Sequence, residues 1–330
     1  MVISELLSYG REILGTLAEP EPGAMTDRLA PAPLRSALYL PGNRRDFLQK
    51  SPRFAPDAVV IDLEDAVQPS DRPAARSIVA EEIGPLSQKV RAVWVRVNPD
   101  PETMWQDLEA AVRPGLATIQ LSKTFNPESV QALDRALGYF EGKAGLPYGK
   151  IAIAPILETA NGLRLAYEIA MASRRVEYLG ALVAKEGDTA RALRMRALVD
   201  PVGTESMAVR SAVLVAARAA GIRYPLGGVV TDLSPEQVQL RAFAGANRDM
   251  GYAGMFVIHP SHVAAVNQIF SPSADELARA ARTLKDLRAS AGRGAIRDAA
   301  DGGMVDLAMA RFAVLLLEEA EALGIELPQS

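Results

Sequence analysis

From Ser36 onward the chain alternates short apolar runs with longer amphipathic stretches. Eight runs stand out: SALYLP from Ser36, AVVIDL from Ala58, AVWVRV from Ala92, TIQLSK from Thr118, IAIAPI from Ile151, YLGALVA from Tyr178, GGVVTD from Gly227 and GMFVIH from Gly254. Each is short, rich in branched residues and apolar on both faces, the pattern of a strand covered on both sides. Helical periodicity separates most of them, as in PESVQALDRALGYF from Pro127, GLRLAYEIAMAS from Gly162, AVRSAVLVAARAAG from Ala208 and PEQVQLRAFAGANRDMG from Pro235. The last has Pro at its expected start with Asp232 and Ser234 as candidate caps, and Gly221 and Gly251 stand where helices prefer to end. Eight strands alternating with helices over about 240 residues predict an α/β fold, a (β/α)8 TIM barrel. The rival, an open doubly wound sheet, usually carries a Gly-rich turn after its first strand; here that turn is PGNRR, with one Gly.

Both ends of the chain differ from this middle. Val2, Leu6, Leu7, Ile13, Leu14 and Leu17 recur at helical spacing and a Pro-rich link follows, so residues 1–34 are read as an N-terminal helical extension. Residues 35–272 form the expected catalytic barrel. Residues 273–330 read as a C-terminal helical cap broken by GRGAIRDAADGG, too small for a core of its own and expected to pack on the barrel or on a neighbouring subunit.

Composition narrows the chemistry. Of 330 residues 49% are apolar and 23% charged, enough for a large core. A formal net charge of −4 with dispersed basic residues argues against nucleic acid. No apolar stretch is long enough to span a membrane, and the N-terminus lacks a signal-peptide pattern. The absence of Cys excludes disulfides, thiolate metal sites and a Cys nucleophile, and suits a cytoplasmic protein. With only His259 and His262, a His-rich zinc centre is excluded, and a Ser-His-Asp triad would have to use one of these two.

In a barrel, chemistry belongs at the carboxyl ends of the strands. Charged groups recur there: Asp62, Glu64 and Asp65 after the second run, Arg96 and Asn98 with the third, Lys123 after the fourth, Glu158 after the fifth, Lys185, Glu186 and Asp188 after the sixth, Asp232 after the seventh and His259 after the eighth. Carboxylates facing one mouth repel unless a cation lies among them, and all-oxygen ligation suits Mg²⁺. Arg96 is suited to gripping a carboxylate or an enolate oxygen. Simpler roles stay open: Glu158, Asp188 and Asp232 as helix-capping acids, Arg96 as an ion-pair partner of Asp62 or Glu64, His259 as a loop former and Tyr39 as a core ring. Lys123 could instead form a Schiff base, as in a class I aldolase.

With RSALYLPGNR from Arg35, DAVVIDLEDAV from Asp57, VRVN from Val95, LSK from Leu121, PILETANG from Pro155, Asp188, GYAGMFVIHPSHVAAVNQIFSPS from Gly251 and DGGMVDLAMAR from Asp301, the chain resembles the citrate lyase beta-subunit-like family, which includes malyl-CoA and citramalyl-CoA lyases. The resemblance runs in order from Arg35 across nearly the whole chain. It implies a homotrimeric or hexameric (β/α)8 lyase that cleaves or forms a 3-hydroxyacyl thioester of CoA or an acyl carrier, with a small keto acid as the other partner. By position it implies Glu158 and Asp188 as Mg²⁺ ligands, with Glu64 and Asp65 holding metal-bound waters. It makes Arg96 the stabiliser of the enolate, places Arg44 and Lys50 at the CoA end, and puts Tyr39 and Lys123 near the substrate. Asp306 would reach a neighbouring subunit's site as the acid–base group, and Asp232 is a further catalytic candidate.

The chain departs from the family pattern at Lys185 and Gly187 around the metal Asp, at Met255, and in TDLSPEQ, which lacks the second acid of the family's Asp-x-x-Asp. These departures bear on the keto acid and acyl carrier more than on the metal. Two alternatives therefore stand beside the lyase: a thioester hydrolase on the same site, and a non-catalytic relative that only binds a keto acid or CoA ester.

Overall fold

The computed structural model describes residues 3–14, 25, 28, 32–184, 187–195, 203–289, 295–297 and 304–326, with the side chains of 13–14, 204–205, 295–297 and 304–306 outside the description. Lys185 and Glu186 lie outside it altogether. The chain divides into two compact units, Pro20–Phe270 and a second made of Met1–Glu19 with Ser271–Ser330.

The larger unit is an α/β layer structure built on one parallel sheet of seven strands: β1 Ser36–Pro41, β2 Ala58–Asp62, β3 Ala92–Val97, β4 Thr118–Leu121, β5 Ala152–Pro155, β6 Leu226–Gly227 and β7 Gly254–Val257. Their order is β5-β4-β3-β2-β1-β7-β6. The register sets Asp62 opposite Arg96 and Arg96 opposite Gln120, which puts three polar side chains at one level. Between neighbouring strands run helices, among them Arg72–Ser87, Pro101–Ala111, Pro127–Lys143, Thr204–Ala219 and Val238–Met250. Branched and leucine side chains on one face of the sheet pack under them, including Val59, Ile61, Val93, Val95, Ile119 and Ile153. The other face encloses a second cluster with Val60, Trp94, Ala154, Ile156, Tyr178 and Phe256. Two enclosed faces explain why the strands read as unbroken apolar runs rather than as alternation.

Six of the eight expected runs are strands. Of the run from Gly227 only Gly227 itself lies in a strand, the two-residue β6, and the run from Tyr178 forms none. Gly180 makes single parallel bridges to Ile156 and to Leu226, and Val176 makes one to Ile153. Backbone bonds from Leu157 to Gly180 and from Leu226 to Leu179, of 2.9 and 3.1 Å, carry this contact. Past Gly180 local turns take over the backbone groups: Val183 donates to Ala181, and the Thr189 hydroxyl to Leu182. Gly180 is required at this crossing, because a Cβ there would lie 2.9 Å from the Phe256 ring and 3.0 Å from the Leu226 carbonyl.

Two helix expectations need correction. The stretch after Glu158 forms two short helices, Ala160–Arg164 and Ala166–Ala170, rather than one. The helix expected from Pro235 begins at Val238, after Gln237 in a left-handed conformation (φ 53°). Asp232 does not cap it. Its carboxylate accepts from the backbone N–H and hydroxyl of Ser234 at 2.9 and 2.8 Å, a local turn that competes with a cap. The glycine expectations agree: Gly221 and Gly251 take φ of 81° and 107° after their helices.

In the smaller unit the helices Ile3–Leu14, Ala274–Ala289 and Leu307–Leu323 bury one cluster that includes Leu6, Leu7, Leu277, Leu284, Val314 and Leu317. This segment therefore has a core of its own once the first helix joins it. The expected break holds β8 Ala295–Arg297, which pairs antiparallel with β9 Met304–Asp306 just beyond it, where the next helix was expected to begin. Among the described residues no helix is long and apolar enough to cross a membrane.

Candidate active site

The carboxyl ends of β2, β3, β4 and β5 bring their polar residues together. Asp62, the last residue of β2, folds the following loop around its own carboxylate, accepting from the N–H of Glu64 and Ala66 at 2.9 and 3.0 Å. The same carboxylate receives Arg96 from β3, with Nε donating to Oδ1 at 2.7 Å and a second nitrogen donating to Oδ2. Arg96 Nη1 lies 3.2 Å from Glu64 and 4.0 Å from Asp65. Asn98 ties the loop from behind, donating to the Leu63 carbonyl at 2.9 Å. Arg96, Asp62 and Glu64 are all buried. Burial pulls the Arg96 pKa down, but its bonds to Asp62 outweigh that and hold it above the ordinary value.

Lys123 follows β4 in a left-handed conformation, φ 46°, unusual for a residue with a side chain. That turn aims its two ends at different acids. Its backbone N–H donates to Glu158 Oε1 at 2.7 Å. Its ammonium donates to Glu64, lies 3.0 Å from Asp65 and reaches Asp188 Oδ2 at 3.5 Å. Burial pulls its pKa down, and Glu64 and Asp65 more than reverse this, so it stands above the ordinary lysine value. An ammonium held this way is no free amine, which weighs against a Schiff base.

Glu158 follows β5 and is buried. The cap of the Ala160–Arg164 helix is Thr159, whose side chain accepts from Gly162 N–H, so Glu158 is free of that role. Burial pushes the Glu158 carboxyl up to about 7; the Lys123 N–H and Arg96 oppose this, and Asp188 and Glu64 add to it. Asp188 opens the Asp188–Leu193 helix, whose cap is Gly187, and also pairs with Arg191. Burial likewise raises Glu64, while Lys123 and Glu64 bring Asp65 below its ordinary value against its own burial.

Tyr39 lies beneath this group. Its hydroxyl donates to Gln120 Oε1 at 2.6 Å and the Arg96 guanidinium stands 5.1 Å from its ring centre. Burial lifts its pKa well above the ordinary tyrosine value. Gln120 was not singled out from the sequence. Its signal is a polar side chain in mid-strand, at the level of Arg96 in the next strand.

The structure thus gathers Tyr39, Glu64, Asp65, Arg96, Lys123, Glu158 and Asp188 into one connected set. Arg44 and Lys50 instead meet at Asp46 on an exposed helix, with Arg44 also stacked 3.8 Å from the Phe47 ring centre. Asp232 is occupied with Ser234, and its carbonyl faces His262 Nε2 at 3.0 Å. His259 binds Ser261, as a loop former does. Asp306 ends β9, and its side chain lies outside the described residues. Met255 is fully buried in β7. Among the described residues no set of three or more His, Cys, Asp or Glu side chains converges as a metal cage. Glu158, after β5, and Asp188, at the start of its helix, offer oxygen donors only, and Mg²⁺ accepts as few as one or two protein carboxylates with waters completing its shell.

A parallel α/β sheet with buried, mutually paired acids and an Arg at the carboxyl ends of its strands has the layout of an enzyme. Residues 35–260 match the model of the HpcH/HpaI aldolase/citrate lyase family, and the chain belongs to that family of lyases. It is 31% identical over 290 residues to the citrate lyase subunit beta of Haemophilus influenzae, covering 87% of this chain and 97% of that protein. It is 28% identical over 323 residues to the L-malyl-CoA/beta-methylmalyl-CoA lyase of Cereibacter sphaeroides, covering 91% and 100%. Among solved structures it is similar to the protein CitE of Mycobacterium tuberculosis in complex with magnesium, acetoacetate and coenzyme A, with a TM-score of 0.69, 28% identity and coverage of 89% and 100%.

Proposed function

We propose that the chain is a Mg²⁺-dependent carbon–carbon lyase of CoA-type thioesters, cleaving or forming a 3-hydroxyacyl thioester such as malyl-, citramalyl- or citryl-CoA. The observation that carries this reading is the set of five acids, Asp62, Glu64, Asp65, Glu158 and Asp188, linked through Arg96 and Lys123 at one end of the sheet. We further propose that the bridges at Val176 and Gly180 supply the eighth stave of a closed (β/α)8 barrel, that residues 35–272 are the catalytic domain, and that the enzyme works as a homotrimer or hexamer.

The donor set fits a hard divalent ion. Glu158 and Asp188 offer oxygen only, and Glu158 lies among other carboxylates in a buried site where a cation would lower its pKa. When bound, Mg²⁺ would polarise the keto-acid oxygens and offset charge that builds in the reaction. The chain's own groups do the rest. In cleavage the substrate hydroxyl loses its proton, the carbon–carbon bond breaks, and the electron pair moves onto the thioester carbonyl as an enolate. Arg96, fixed by Asp62 and Glu64, is the cation that holds that oxygen. Glu64 and Asp65 orient water at the mouth. Asp306 of a neighbouring subunit returns a proton to the enolate carbon, Tyr39 and Lys123 line the substrate side, and Arg44 and Lys50 receive the CoA end.

Purified protein is assayed with malyl-, citramalyl- and citryl-CoA, with and without Mg²⁺. Glu158→Ala should lower turnover by on the order of 10³-fold while the melting temperature is retained, a loss of the size seen when a group acting in the transition state is removed. Unchanged turnover in that variant would reject the assignment. Release of free CoA without accumulation of acetyl-CoA would identify a thioester hydrolase instead, and tight binding without turnover across the panel a non-catalytic relative.

A further inference from the structure

We propose that the Lys123 ammonium is a resident counter-ion, which holds the acidic mouth together in the metal-free enzyme and competes with the divalent ion for Asp188. Binding is then an exchange of one cation for another. The inference rests on reading Glu158 and Asp188 as the ion's ligands.

Four acids converge here, and Lys123 touches each of them. Its ammonium meets Glu64, Asp65 and Asp188, and its backbone N–H meets Glu158. The other cation of the cluster, Arg96, is committed to Asp62 and Glu64. Asp188 also pairs with Arg191, which is exposed and on its own helix. Without Lys123 the cluster would keep its negative charges and lose the one cation among the described residues that spans from the Glu64–Asp65 loop to Asp188. Such a cluster stays assembled only if a cation lies in its midst.

The two contacts of Lys123 separate its roles. The N–H bond to Glu158 belongs to the backbone and survives any non-proline substitution. The ammonium sits on a flexible stem as a compact point charge, so it can leave Asp188 without moving the strand. The left-handed backbone is a conformation that Gly adopts freely, so Lys123→Gly removes the charge and relieves the strain.

The test titrates full-length protein with Mg²⁺ by calorimetry, and with Mn²⁺ by electron paramagnetic resonance. Lys123→Gln and Lys123→Gly should bind Mg²⁺ about tenfold more tightly than wild type, because a like charge a few ångströms from the ion is removed. Lys123→Arg, which keeps the charge, should stay close to wild type. In the absence of divalent ions Lys123→Gln should melt at a lower temperature, with a larger rise on adding Mg²⁺.

Wild-type binding that Glu158→Ala abolishes but that Lys123→Gln and Lys123→Gly leave unchanged or weaken would overturn this inference alone. Binding by Lys123→Gly where wild type shows none would support it. No binding in any of these proteins would overturn it together with the ion-site reading.

Discussion

Arg96 grips Asp62 through two nitrogens and Glu64 through the third. A lysine cannot reproduce that planar fork. Arg96→Lys should therefore lower kcat by on the order of 10²–10³-fold, the usual loss when one preorganised donor goes, and steady-state kinetics would check it. Arg96→Ala should also destabilise the fold by roughly 3–5 kcal/mol, because Asp62 would be left buried and unpaired; a denaturant melt reads this. Away from the site, burial pushes the Glu177 carboxyl up to about 7 against the pull of Arg28 and Lys150. A carboxyl raised above its ordinary 4.5 binds its proton more tightly in the native chain, so the stability it contributes is complete below 4.5 and is lost as pH rises through 7. Glu177→Gln should then be neutral at pH 4 and stabilising by on the order of 2 kcal/mol at pH 8, measured by urea unfolding at both values. Most site acids and bases were legible because charge at the end of an apolar run is conspicuous. Gln120 was not, since its importance lies in its level across the strands, and register is not written along one strand.

At the scale of elements, the fifth strand and the helix after it are clamped to the fourth. A Cβ on Gly162 would lie 2.2 Å from the Thr124 carbonyl, and Thr124 N–H in turn donates to the Ile156 carbonyl. Backbone cannot yield as a flexible side chain can. Gly162→Ala should push the Ala160–Arg164 helix off Thr124, shift Glu158 and Lys123 together, and cost roughly 1–3 kcal/mol as overpacking does. A paired fall in melting temperature and Mg²⁺ affinity is the expected result; loss of stability with intact affinity would mean that the clamp does not position Glu158. Six strands were legible from apolar runs bounded by helical periodicity, and β6 only at Gly227, the first residue of its run. The run from Tyr178 reads as a strand because its composition suits one, but local turns after Gly180 take the backbone groups that a ladder would need. The helix start at Val238 was hidden by a Pro and two cap-type residues whose hydrogen bonds closed on each other instead.

At the scale of the whole molecule, the two ends of the chain make one small helical unit. Periodicity revealed the first helix but not its partners, because an amphipathic face states only that something covers it. Gly10 shows how close that cover is: a Cβ there would lie 2.4 Å from a Val314 methyl. Deleting residues 1–19 should bare Leu277, Leu284, Val314 and Leu317 and make residues 271–330 readily cleaved by protease, with the 20–270 unit still resistant; equal resistance of both would contradict the shared core. The same pairing sets a schedule for biosynthesis. The helix Ile3–Leu14 leaves the ribosome roughly 250 residues before the helices that cover Leu6 and Leu7, a wait of about 12 to 50 s at ordinary elongation rates. Throughout that interval its greasy stripe is without its final cover, and a chaperone that shields nascent chains would find its target in those first two turns.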